Sequence, residues 1–186
     1  AVSMAGDFHT NVITGAGLRA LVRGVVKYKK RDCFAILQQF VTRDIDGKIC
    51  ILYGLRRTGK TTLLFQMISE LPVEQTAYIK VKTTDNMSIL TKDLDVLRKK
   101  GCKYVFIDEI TLMEDFINTA AVLSDIFAMM GMKIVVSGTD SLGFAMANRD
   151  ELYDRSVTIH TSFIPFREYS RLLDIDSVDS YIEYGG

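Results

Sequence analysis

The sequence predicts an α/β fold, a three-layer sandwich in which a parallel sheet of five strands carries helices on both faces. Three observations lead there. Short apolar runs and amphipathic stretches alternate along most of the 186 residues, as in strand–helix–strand units with right-handed crossovers. The runs are continuous rather than alternating, so both faces of the sheet are covered. The first run also ends in a glycine-framed loop that opens straight into an amphipathic helix.

Residues 1–20 begin with AVSMAGDFHT, which has no periodicity. They read as a flexible N-terminus, part of it an expression remnant, with Met4 a candidate natural start. From Val22 to Val41 apolar residues recur at three- and four-residue spacings, which predicts one long helix. Within it KYKKR, 27–31, reads as a solvated basic face, with a phosphate-backbone contact as the alternative. KICILY, 48–53, is the first strand, and 61–71 a helix with Leu64, Met67, Ile68 and Leu71 on one face. TAYIKV, 76–81, is the second strand, and the helix 86–100 closes at Gly101. KYVFI, 103–107, is the third strand, followed by a helix over 114–130. FAMMGM, 127–132, reads as the core side of that helix end. KIVVS, 133–137, and SVTIHT, 156–161, are the fourth and fifth strands, with a shorter helix over 141–153 between them. Pro165 starts a last helix near 166–173. Residues 21–186 therefore read as one domain, and the terminal SYIEYGG as a turn leading into a further domain.

Composition narrows the function. Lys+Arg and Asp+Glu both number 23, which excludes a chain-wide basic field for nucleic acid. Cys33, Cys50 and Cys102 are odd in number and far apart, and His9 and His160 stand alone. This pattern fits buried thiols in a reducing compartment rather than a disulfide framework or a zinc site. Neither a membrane-length apolar run nor a secretory signal pattern occurs, so the expectation is a soluble cytoplasmic protein without a membrane partner.

The chemistry starts at Gly54-Leu55-Arg56-Arg57-Thr58-Gly59-Lys60-Thr61, a full match to G-x-x-x-x-G-K-[ST]. A triphosphate presents dense negative charge on oxygens that only accept hydrogen bonds. A loop binds it by turning successive backbone N–H groups inward, and glycine is needed where the backbone takes shapes forbidden to a Cβ. The helix opening at Gly59 adds its free N–H groups. Residues Gly54 through Thr62 are accordingly the candidate nucleotide contacts. Lys60 reaches the β- and γ-phosphates, and Thr61 ligates Mg²⁺. In a chain of this length a chance match is on the order of one in a hundred.

A metal-bound phosphate needs an acidic partner on a neighbouring strand, and KYVFIDEI supplies Asp108 and Glu109. Carboxylates at the end of a buried strand are costly unless something uses them. Asp108 is the candidate metal ligand, and Glu109 the general base that activates water. Ser137, Thr139 and Ser141 follow the fourth strand; sensing of the γ-phosphate and ordinary turn chemistry are both open. Arg149 and Arg155 are arginine-finger candidates, in the same or a neighbouring subunit, against plain exposed arginines.

GLRRTGKTTLL, YVFIDEI, KIVVSGTDS and YDRSVTIHTSFIPFREYSRLL, in this order, resemble the AAA-like P-loop ATPases of bacteria and archaea. The resemblance covers about residues 35–186 and implies a P-loop NTPase sandwich with strand order 5-1-4-3-2. It also implies a C-terminal winged-helix or nuclease-like domain, which would contact nucleic acid or protein. Ile164-Pro165-Phe166-Arg167-Glu168-Tyr169 is a looser form of the family's Pro-Leu-Ser-Phe-Arg-Glu-Phe, and Asp154 stands where a glycine commonly precedes the finger arginine. The expected function is a Mg²⁺-dependent ATPase switch or motor, with ATP and ADP as ligands and a homo-oligomer as its assembly. The alternatives are a nonhydrolysing nucleotide-gated binding module and a small-molecule P-loop kinase. A GTPase is disfavoured because Asn-Lys-x-Asp is missing.

Overall fold

Every continuous apolar run forms a strand, and one unforeseen strand joins them. The computed structural model describes residues 8–25, 29–43, 48–55, 59–142 and 156–161. Its strands are β1 (Asn11–Ile13), β2 (Ile49–Gly54), β3 (Thr76–Lys80), β4 (Tyr104–Asp108), β5 (Lys133–Gly138) and β6 (Ser156–Thr161). They form one sheet of order β1-β3-β4-β5-β2-β6. β1 is antiparallel to β3, and the other neighbours are parallel. This corrects the five-stranded, all-parallel expectation: the sheet has six strands and an antiparallel edge. β5 lies between β2, which leads into the glycine loop, and β4, which ends in the acidic pair.

The helices are α1 (Gly15–Arg23), α2 (Phe34–Thr42), α3 (Lys60–Ile68), α4 (Met87–Lys99) and α5 (Phe116–Val122), the last continuing as a π-helical turn, Leu123–Ala128. From β2 the chain crosses the sheet one way to β3, then returns through β4 to β5. Right-handed crossovers in opposite directions put α3 on one face and α4 and α5 on the other. Strand parity divides the core accordingly. Cys50, Leu52, Tyr78, Phe106 and Val135 pack with Leu18, Leu37, Leu63 and Met67 of α1, α2 and α3. On the other face Ile51, Ile79, Ile107 and Val136 pack with Leu90, Leu94, Leu123 and Phe127.

Three more expectations change. Within the stretch read as flexible, residues from Asn11 onward form β1 and α1. Asp93, buried on α4, accepts hydrogen bonds from the backbone N–H groups of His9 (2.9 Å) and Thr10 (2.6 Å), and from the Thr10 hydroxyl. The long helix over 22–41 is two helices, because α1 caps at Gly24 and residues 29–33 turn before α2 begins. In the basic run between them Lys30 pairs with Glu70 at 2.5 Å and lies over the Phe34 ring. FAMMGM is only half core: Phe127, Ala128 and Met132 are buried, while Met129 is 64% and Met130 47% exposed.

Leu142 is buried at the start of the helix expected over 141–153. Most of that helix and the one near 166–173 lie outside the described residues. Cys33, Cys50 and Cys102 are free thiols. Burial pushes the Cys102 thiol up to about 12 and Cys50 further, so neither is a ready nucleophile. Among the described residues no helix is long and apolar enough to cross a membrane.

Candidate functional site

The two motifs meet at the C-terminal edge of the sheet. β2 ends at Gly54, where any side chain would overlap the Thr161 hydroxyl and carbonyl of neighbouring β6. Glycine is therefore required there by packing as well as by the loop. At the far end of the loop, Gly59 sits at φ 82° and ψ 20°, the left-handed region, and serves as N-cap of α3. Its carbonyl accepts the first helical hydrogen bond, from Leu63 N–H at 3.0 Å. Lys60 and Thr61 are thereby the first residues of α3 and face the sheet edge. Thr62 is half-buried on the same turn, and Leu55 is exposed at the loop's start. Arg56, Arg57, Thr58, Arg149 and Arg155 lie outside the described residues.

Lys60 is 5% exposed, and its Nζ donates to the carbonyls of Gly54 (2.8 Å) and Leu55 (2.7 Å). Burial pulls its pKa below the ordinary lysine value, and the charges of Glu109, Asp108 and Asp140 oppose that shift. One cation thus sits within the field of three carboxylates.

Asp108 is 2% exposed at the tip of β4. Its Oδ2 accepts from the Thr61 hydroxyl at 2.9 Å and from the Tyr78 hydroxyl at 2.5 Å. Its Oδ1 accepts a short hydrogen bond from Ser137. The Ser137 oxygen in turn accepts from the Glu109 backbone N–H at 3.0 Å. Glu109 holds φ 64° and ψ 43°, the one left-handed non-glycine residue among those described. For a glutamate that conformation is strained by about 1–3 kcal/mol, a cost met mainly at functional sites. The bend turns the chain out of β4 directly after the buried Asp108, leaving Glu109 half-exposed.

Of the remaining hydroxyls, Thr139 and Ser141 bond one another at 2.7 Å, and only Ser137 joins the acidic pair. Three participants escaped the sequence reading. Tyr78 reaches Asp108 from β3, and Asp140 lies 3.4 Å from His160, whose ring stacks on Tyr53. Arg31, just ahead of α2, brings Nη1 to 3.3 Å from where a Cβ on Gly59 would stand. Strand parity is the signal that would have found Tyr78. In the register Tyr78 opposes Phe106, two residues before Asp108 and on the same face. Asp140 and Arg31 depend on loop paths that no spacing encodes.

The Thr61 hydroxyl and the Asp108 carboxylate are hard oxygen donors, the kind Mg²⁺ takes, and they stand side by side. Among the described residues no group of three or more His, Cys, Asp or Glu could hold a metal alone.

The profile of the AAA domain family matches residues 46–170. The chain is 26% identical over 151 residues to the uncharacterized protein MJ1544 of Methanocaldococcus jannaschii, covering 76% of this chain and 33% of that protein. Its fold is similar to that of S. cerevisiae Hsp104 in an extended-conformation complex with casein, at a TM-score of 0.62 and 14% identity, covering 91% of this chain and 32% of Hsp104. Similarity to a closed state of Hsp104 has a TM-score of 0.60 at 15% identity, with the same coverage of 91% and 32%. The chain therefore spans about a third of the length of these relatives.

Proposed function

This chain belongs to the AAA domain family, and we propose that it binds and hydrolyses ATP with Mg²⁺. The observation that carries the reading is the 2.9 Å hydrogen bond from Thr61 to Asp108. It joins the glycine-lysine-threonine loop to the acidic strand, the pairing phosphoryl chemistry requires.

In this reading the loop from Gly54 through Leu55, Arg56, Arg57 and Thr58 to Gly59 wraps the β- and γ-phosphates with its amides. Thr61 and Thr62 complete the cradle at the helix N-terminus. Lys60 exchanges its two loop carbonyls for phosphate oxygens. Thr61 and Asp108 would hold Mg²⁺, which when bound screens phosphate charge and makes the γ-phosphorus a better electrophile. Ser137 keeps Asp108 and the Glu109 backbone in fixed relation. Glu109 takes a proton as water attacks the γ-phosphorus; the bond to the bridging oxygen breaks, leaving ADP and phosphate. Arg155, in its own or a neighbouring copy of a homo-oligomer, supplies a cation to the developing charge. The cycle acts as a switch or motor on a C-terminal domain that contacts protein or nucleic acid, in keeping with a relative of which the matched stretch is 33%.

Glu109→Gln tests the chemistry. It is expected to keep ATP affinity by calorimetry while lowering phosphate release at least about 100-fold. Unchanged turnover removes Glu109 as the base. Tight binding without turnover by the parent at every protein concentration points to the nonhydrolysing module, and phosphate moving to an acceptor other than water points to the kinase. A concentration-dependent rise in turnover per chain that Arg155→Ala abolishes is the result expected of a finger in trans; a rise that survives returns Arg155 to the surface.

A further inference from the structure

We propose that Tyr78 sets which divalent cation the site accepts, by keeping one oxygen of Asp108 out of metal coordination. This rests on the nucleotide reading above.

The argument is a count of lone pairs. A carboxylate offers about four acceptor positions, two on each oxygen. On Asp108 Oδ2 both are taken, by Tyr78 and Thr61, and on Oδ1 one is taken by Ser137. A single position on Oδ1 remains. The Thr61 hydroxyl gives Asp108 its proton and still has lone pairs for a cation, so its hydrogen bond is compatible with metal binding. The Tyr78 bond does something different, because its hydroxyl belongs to a side chain fixed in the core. Tyr78 is 3% exposed in the middle of β3, and its ring meets Phe65 of α3 edge-on at 5.0 Å. Enclosed in that core, the phenol would leave a buried donor unsatisfied if it let go, so the hydrogen bond persists.

The two common cations respond differently to such a carboxylate. Ca²⁺ takes six to eight oxygens in flexible geometry and readily uses both oxygens of one carboxylate. Mg²⁺ keeps a tight octahedron and most of its waters, and one carboxylate oxygen, direct or through water, satisfies it. Blocking Oδ2 therefore disfavours Ca²⁺ more than Mg²⁺. Tyr78 touches neither substrate nor metal; it is a positioning residue that acts through Asp108.

Calorimetry with the nonhydrolysable β,γ-imido analogue of ATP, run once in Mg²⁺ and once in Ca²⁺, reads this without turnover. Tyr78→Phe keeps the ring and removes only the hydroxyl. It is expected to lower the ratio Kd(Ca²⁺)/Kd(Mg²⁺) about fivefold, the worth of one hydrogen bond, mainly through tighter binding in Ca²⁺. An unchanged ratio, or equal weakening with both cations, overturns the proposal. Phe65→Leu disturbs the ring's packing and leaves the hydroxyl, so its ratio should match the parent's; an equal fall there overturns the assignment to the hydroxyl. A parent chain that binds the analogue with neither cation defeats the nucleotide reading itself, before any variant is made.

Discussion

Lys60 carries the sharpest tension at the scale of single residues. A cation that is 5% exposed would ordinarily be expensive, and here two loop carbonyls and three carboxylate charges offset the burial. The lowered pKa records that the offset is incomplete. In the window between that lowered value and the ordinary 10.5, the unfolded chain binds a proton that the folded chain has shed. The contribution of Lys60 to stability therefore rises with pH across the window. Lys60→Met removes the charge at similar length, so its stability relative to the parent should be greatest near neutrality and shrink toward pH 10.5. Urea unfolding of both proteins at several pH values measures this, and a stability of Lys60→Met relative to the parent that rises with pH contradicts the assigned sign. Lys60, Thr61, Asp108 and Glu109 were legible because each lies in a local pattern, a loop before a helix or an acidic pair after an apolar run. Tyr78 was not, since it contributes through a neighbour on another strand that the register brings close, and Asp140 was not, since it reaches the site by a loop path beyond β5.

Among the elements, β1 shows what local patterns leave out. Three residues, Asn11–Ile13, have too little length for a periodicity to register. They form a strand because β3 offers them an open edge and because Asp93 clamps the residues before them. The carboxylate of Asp93 is 1% exposed and satisfies two backbone donors and a hydroxyl. Asp93→Ala leaves those donors buried without a partner and is expected to cost about 2–4 kcal/mol. Urea unfolding should show the loss, and hydrogen exchange should place it first at residues 9–13; a loss under 0.5 kcal/mol, by order of magnitude a surface value, would mean the clamp is dispensable. The same reasoning explains the division of the long helical pattern. Apolar residues stood at helical spacing on both sides of the basic run 27–31, yet α1 ends at Arg23 and α2 begins only at Phe34. Spacing reports a face, and it is silent on whether one axis runs through it.

Across the whole molecule, the path of the chain places the site. The loop after β2 leads to α3 on one face, and the loop after β4 leads to α5 on the other, with β5 between them. Loops that part to opposite faces open a crevice beyond the strand ends, where open α/β sheets bind ligands. Alternation of elements predicted the layers, but the residues alone did not order the strands; that expectation came from the resemblance, and the antiparallel edge came from neither. A nucleotide bound as proposed would touch β2, α3 and β4 at once. The charge count adds a condition. Lys60 stands among Asp108, Glu109 and Asp140, and a triphosphate brings further negative charge, so binding should depend strongly on Mg²⁺. At a ligand concentration of about 100 Kd the stabilisation is about 2.7 kcal/mol. In a domain of this size that raises Tm by roughly 5–10 °C. Scanning calorimetry with the imido analogue should show one transition moving by that amount in Mg²⁺, moving clearly less with the metal chelated, and staying in place for Lys60→Met. A shift that is equally large with and without Mg²⁺ would mean that Thr61 and Asp108 hold no metal. A transition that splits in two would mean that the domain does not unfold as one cooperative unit, because a ligand bound anywhere on a two-state domain shifts its whole transition.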